Sequence, residues 1–129
     1  YKYIMAPLYV VENMFDSYQI YTAMQAPQHP SASQLPMVEA YVAMYGEAMR
    51  NTTAKFLRPG DGLFSPSCFQ HIVPTDVHVA GYSWKELAAD WFWEAKKFPA
   101  DAYVLSETCP PGSLHPGFPC NPHHSCTHT

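Results

Sequence analysis

The sequence predicts an α/β protein with a mainly parallel sheet, followed by an irregular tail rich in proline and cysteine. Two successive strand–loop–helix units carry the first half of that prediction. The second half rests on composition: proline is dense after Pro99, and no hydrophobic periodicity survives beyond Cys109. We place residues 1–108 in the α/β part and 109–129 in a tail held to it by disulfides.

The first strand is read over Pro7 to Phe15, where Tyr9, Val10 and Val11 make an apolar, β-branched centre suited to burial. Asp16 to Ser33 contains Pro27, Pro30 and small polar residues, which predicts a loop with a helical turn. From Leu35 to Met49, the residues Val38, Tyr41, Val42, Tyr45 and Met49 recur at helical steps, with Pro36 tolerated in the first turn. Residues 58–62 (Arg-Pro-Gly-Asp-Gly) form a turn, Leu63 to Ser67 a short strand, and Pro74 to Gly81 a loop. Ser83-Trp84-Lys85-Glu86 has the form of a capping box opening a second helix to Lys97. Its packed face comprises Trp84, Leu87, Ala88, Trp91 and Phe92, with Trp93 off that face. Ala102 to Leu105 is a last extended piece.

Composition narrows the function. With 129 residues and 47% hydrophobic side chains, the chain suits one modest core. A formal charge of −4 and no basic run longer than Lys96-Lys97 argue against nucleic-acid binding, which needs many phosphate contacts. No apolar run is long enough for a membrane span. Tyr1 to Met5 lacks the pattern of a signal peptide, and the sequence reads as a segment of a longer protein. Cys68, Cys109, Cys120 and Cys126 suit disulfides in an oxidising compartment. The sequon Asn51-Thr52-Thr53 points the same way, toward a secreted glycoprotein.

The chemistry converges on two residues. Asp16 ends the first strand and His71 follows the second, with one helical crossover between them. A right-handed crossover returns the second strand beside the first, so both residues reach the carboxyl edge of the sheet. A neutral imidazole is suited to take a proton from a hydroxyl near neutral pH, and a buried carboxylate fixes its tautomer and stabilises the imidazolium. The bland alternatives are a backbone-bonded loop histidine and, for Asp16, a helix N-cap leading into Ser17. His78 is a second candidate base, read rather as part of a solvated Asp76-Val77-His78 loop.

Pro7 through Ile20, containing Val10-Val11-Glu12-Asn13-Met14-Phe15-Asp16-Ser17, resembles the acid-bearing segment of the pectin acetylesterase/Notum family. Gly62-Leu63-Phe64-Ser65-Pro66-Ser67-Cys68-Phe69-Gln70-His71 is similar to its histidine segment. Ala89-Asp90-Trp91-Phe92 resembles the helix that follows, and Pro119-Cys120-Asn121-Pro122 the Cys-Asn-Pro ending. The resemblance implies the C-terminal part of a secreted, disulfide-bonded α/β-hydrolase-like serine carboxylesterase. It makes Asp16 the acid and His71 the base, and it implies no cofactor. Its substrate would be an acylated polysaccharide or an acylated protein. The chain departs from the family at Ile72, where plant-type members tend to carry cysteine, and in a longer ending with an insert over residues 110–117. Several cysteine pairings remain open; we favour Cys120 with Cys126 and Cys68 with Cys109.

The nucleophile is expected upstream, in a Gly-x-Ser-x-Gly elbow. Gly81-Tyr82-Ser83-Trp84-Lys85 lacks the last small residue, and neither Ser17 nor Ser67 sits on a strand-to-helix elbow. The segment alone is therefore expected to be inactive. Three rival readings remain. Cys109, Cys120, Cys126, His115, His123, His124 and His128 could supply zinc ligands, although their spacing fits disulfides better and we assign no metal. The aromatic residues of the second helix could stack on sugar rings, as in a carbohydrate-binding module. A catalytically inactive relative acting as a binding protein is the third.

Overall fold

The computed structural model describes residues 3–108, and all statements of structure concern those residues. A three-stranded parallel sheet organises them, in the order β1 (Tyr9–Val11), β2 (Gly62–Ser65), β5 (Val104–Ser106). Helix α1 (Leu35–Phe56) connects β1 to β2. Between β2 and β5 lie a small antiparallel hairpin, β3 (His78–Val79) and β4 (Tyr82–Ser83), and helix α2 (Trp84–Trp93). The mixed α/β architecture with a parallel sheet agrees with the sequence expectation.

Several boundaries differ for identifiable reasons. Regular pairing in β1 covers only Tyr9–Val11, but the strand carries on as extended backbone. The Glu12 N–H donates to the Phe64 carbonyl at 3.1 Å and the Met14 N–H to the Pro66 carbonyl at 2.9 Å. An isolated parallel bridge then joins Phe15 to Phe69. Between the pair Val11–Phe64 and that bridge, the β2 side gains one residue, a bulge-like offset that breaks the regular ladder. Helix α1 continues a further two turns beyond Met49 to Phe56.

The loop expected over 74–81 gives way at its end to the β3–β4 hairpin over 78–83, turning at Ala80 and Gly81, both with positive φ (52° and 84°). The capping box does not form. Ser83 is the N-cap of α2 but is held in the hairpin ladder and makes no side-chain cap bond. Helix α2 stops at Trp93 rather than Lys97, because Glu94 turns left-handed (φ 50°) and the Asp90 carboxylate takes the Lys97 N–H. Phe92 is 66% exposed and lies off the packed face, where Asp90 takes its place beside Leu87. The last extended piece starts later than expected, after a 3₁₀ turn over Ala100–Tyr103.

Two apolar clusters hold these elements. One gathers Phe64, Cys68, Val73, Val77, Val79, Leu87 and Ala102 around β2 and α2. Complete burial of Phe64 and Leu87 stabilises by about 1.5–3 kcal/mol each. The other joins Met14, Phe15 and Ile20 to Tyr45 of α1. Here glycine is required: a Cβ on Gly46 would collide with the Phe15 ring. Helix α1 thus accepts a residue costing about 1 kcal/mol of helix propensity and lets the end of the first strand lie against it.

At the opposite edge, Asp61 locks the entry to the sheet. Its carboxylate accepts the Leu8 N–H at 2.8 Å and the Arg58 N–H at 2.9 Å. The Arg58 guanidinium pairs with Asp61 and donates to the Ile4 and Ala6 carbonyls at 2.7 and 3.0 Å. Strand register is thereby set before the strands begin, which fixes where they end.

Candidate functional site

At the carboxyl ends of β1 and β2 the structure brings Asp16 and His71 together. The His71 Nδ1 lies 3.1 and 3.2 Å from the two carboxylate oxygens of Asp16. Their environments are opposite. The Asp16 side chain is 3% exposed, whereas that of His71 is 59% exposed. The parallel crossover expected from the sequence is present as β1–α1–β2, and it places the pair side by side.

The carboxylate is held from three sides. Its Oδ1 accepts the backbone N–H groups of Tyr18 and Gln19 at 2.8 and 3.1 Å, and its Oδ2 accepts the Gln19 side-chain amide at 3.2 Å. Those bonds open a single π-helical turn over Gln19–Ala23, the helical turn expected after Asp16. Asp16 therefore does both things weighed for it: it caps a turn, and it faces the histidine. Charge-assisted bonds of this kind fix the orientation of a carboxylate. A Nδ1–H donated to it leaves Nε2 as the acceptor nitrogen, the tautomer a general base needs.

The Tyr18 ring also lies beside the imidazole, with centroids 5.1 Å apart. Among the described residues no hydroxyl bonds Nε2. Glu12, half-buried on the same strand end, has its pKa raised, first by burial and then by the charge of Asp16, with His71 opposing. Burial, with the charges of Asp16 and Glu12 and with Tyr41, also pushes the Tyr45 phenol up to about 12.

Other candidates resolve differently. His78 sits in β3 with its Nδ1 2.9 Å from the Asp76 carbonyl, so its contact is local. Ser67 is fully buried, and both its N–H and its Oγ donate to the Glu107 carboxylate at 2.8 Å. Ser83 is buried in the hairpin, and Ser17 is half-buried beside Asp16. Of the three, Ser83 alone stands at a strand-to-helix junction, between β4 and α2, and there it is buried on ordinary extended backbone (φ −88°, ψ 137°) rather than presented on an exposed elbow. Asn51 is exposed on α1, where Thr53 bonds the Met49 and Arg50 carbonyls at 2.9 and 3.0 Å. Cys68 is buried, and no free thiol is present among the described residues.

The proposed pairings of Cys109, Cys120 and Cys126, and the alternative zinc set of the tail, lie outside the described residues. Within them no group of histidine, cysteine and carboxylate side chains could hold a metal ion. No helix among them is long and apolar enough to cross a membrane.

Sequence reasoning missed two features of the site. Asn13 is fully buried, and its Nδ2 donates to the Gln70 carbonyl at 2.9 Å, beside His71. Glu107, beyond β5, anchors the segment between β2 and the histidine through Ser67 and through its own N–H to the Ser65 carbonyl at 3.0 Å. The polar Asn13 at the end of an apolar strand was the available signal for the first. The second had none.

No family model matches this chain, and neither a curated protein nor a solved structure is significantly similar to it.

Proposed function

We propose that the chain supplies the acid and the base of a Ser-His-Asp carboxylesterase. The reading is of the pectin acetylesterase/Notum type, with the nucleophilic serine on a segment upstream of this sequence. The observation that supports it is the contact of a buried, backbone-anchored Asp16 with an open His71 at adjacent carboxyl ends of parallel strands.

In this mechanism the serine attacks the ester carbonyl while His71 Nε2 takes its proton. Asp16 holds the ring and stabilises the imidazolium. The tetrahedral intermediate collapses, His71 protonates the leaving alkoxide, and an acyl-enzyme remains. His71 then activates water to release the acid. Two classes of substrate fit, acetylated polysaccharide and acylated protein. They are separated by comparing p-nitrophenyl acetate with the octanoate, since an acetyl-sized pocket rejects the longer chain.

The deciding experiment uses the longer chain that carries the upstream serine. His71→Ala should lower kcat on p-nitrophenyl acetate by several orders of magnitude, as loss of a triad member does. Turnover close to that of the unmodified protein would end the assignment. A second reading, a surface that stacks on sugar rings, draws on the exposure of Phe92 (66%) and Trp93 (75%) at the end of α2. Titration with oligosaccharides, followed by tryptophan fluorescence in the protein and in Trp93→Ala, tests it.

A further inference from the structure

His71 lies in a bend beyond the end of β2. Its side chain is mostly open, touched by Asp16 and the ring of Tyr18. The last strand pairing before it is the bridge between Phe15 and Phe69, and Gln70 and His71 lie beyond that point in a bend. A bond from Asn13 to the Gln70 carbonyl, 2.9 Å long, crosses from the acid-bearing strand to the peptide adjoining the base. Asn13 is fully buried and lies three residues before Asp16.

From this geometry, and resting on the triad reading, we infer that Asn13 is a positioning residue. It sets the separation of base and acid by clamping the histidine loop to the strand that carries Asp16. The chemistry explains the residue type. The clamp needs an uncharged donor on a short stem inside a closed site. Aspartate has the same shape but directs lone pairs at a carbonyl oxygen, and leucine fills the volume with no donor. The Oδ1 of Asn13 has no partner among the described residues, so burying this carboxamide carries a desolvation cost. A polar group buried at such a cost is suited to a role in geometry rather than in stability.

A misplacement of about 1 Å is enough to cost a reaction on the order of 10²-fold. In the full-length protein, Asn13→Asp and Asn13→Leu should therefore lower kcat for p-nitrophenyl acetate by about 10- to 100-fold, with KM within about twofold. Val11→Ala, on the same strand and away from the loop, should lower Tm while leaving kcat unchanged. Two NMR readouts do not depend on turnover. In the unmodified protein, the Asn13 side-chain amide protons should exchange slowly with solvent. The downfield Nδ1 proton of His71, bonded to Asp16, should broaden or vanish in both Asn13 variants and persist in Val11→Ala. Fast exchange at Asn13, or variants that keep both kcat and the His71 signal, would overturn the inference. If the unmodified protein turns over no ester, the triad reading fails by itself, and the two NMR signals still decide whether Asn13 places His71 against Asp16.

Discussion

Two buried carboxylates at opposite ends of the sheet solve the same problem and end with different roles. Asp16 lies at the carboxyl edge and Asp90, on α2, lies near the start of β5; both are almost completely buried. Each accepts backbone N–H groups, from Tyr18 and Gln19 in one case and from Lys97 in the other. Each has one ring-bearing partner: His71 for Asp16 and the Tyr103 hydroxyl for Asp90. The Asp90 bond raises the Tyr103 pKa, so that phenol stays protonated and the contact stays closed. The Asp16 partner is an imidazole that opens to solvent and can exchange a proton. A buried carboxylate becomes chemically useful when its partner can exchange a proton, and remains structural when it cannot.

The sharpest way to break this comparison is to neutralise each carboxylate in turn. On the proposed triad reading, Asp16→Asn in the protein that carries the serine should lower kcat by about 10⁴-fold, because the amide no longer enforces the right tautomer of His71. Its Tm should fall less than that of Asp90→Asn. In the latter, the carboxylate that stops α2 and holds the 94–97 segment is lost, at about 1–3 kcal/mol, and kcat should survive. Parallel activity assays and thermal melts read both effects. Equal loss of kcat in the two variants would erase the distinction between the two ends.

Gly46→Ala sharpens the comparison at an intermediate level. Helix propensity alone favours alanine by about 1 kcal/mol. The added Cβ, however, meets the Phe15 ring one residue before Asp16. The variant should be less stable than the parent by denaturant titration and should lose activity as well. A gain in stability with unchanged kcat would show that α1 does not locate the acid.

What the sequence disclosed follows from these contacts. The apolar runs ending at Asp16 and His71, and the helical spacing between them, are local patterns, and they were enough to foresee a parallel pair of strand ends. The hairpin over 78–83 was hidden because Ala80, not glycine or asparagine, takes the first left-handed position of its turn. The end of α2 was hidden similarly: Glu94 is left-handed there, and the stop comes from the Asp90 carboxylate bonding the Lys97 N–H seven residues on. Asn13 with Gln70, and Ser67 with Glu107, are pairings between distant residues with no local signature. Asp16 and His71 were legible as strand ends; the bonds that hold them in place were not.

The smallest effect concerns Glu12, the second carboxylate at the Asp16 end. Its pKa lies above 4.5 in the folded chain, because burial and the neighbouring Asp16 charge both disfavour ionisation. As pH rises through 4.5, an unfolded chain releases this proton before the folded chain does. Folding therefore loses stability across the interval up to the raised pKa, and the loss is complete above it. Glu12→Gln retains the neutral form at every pH. Its Tm should match that of the parent in acid below the ordinary carboxylate range, draw ahead through the interval, and keep a constant small lead at neutral pH. Melting curves across that pH series give the answer. A lead that is the same at every pH would mean that the glutamine merely packs better. A lead that grows with pH would place a desolvated carboxylate beside Asp16, at the carboxyl end of the sheet.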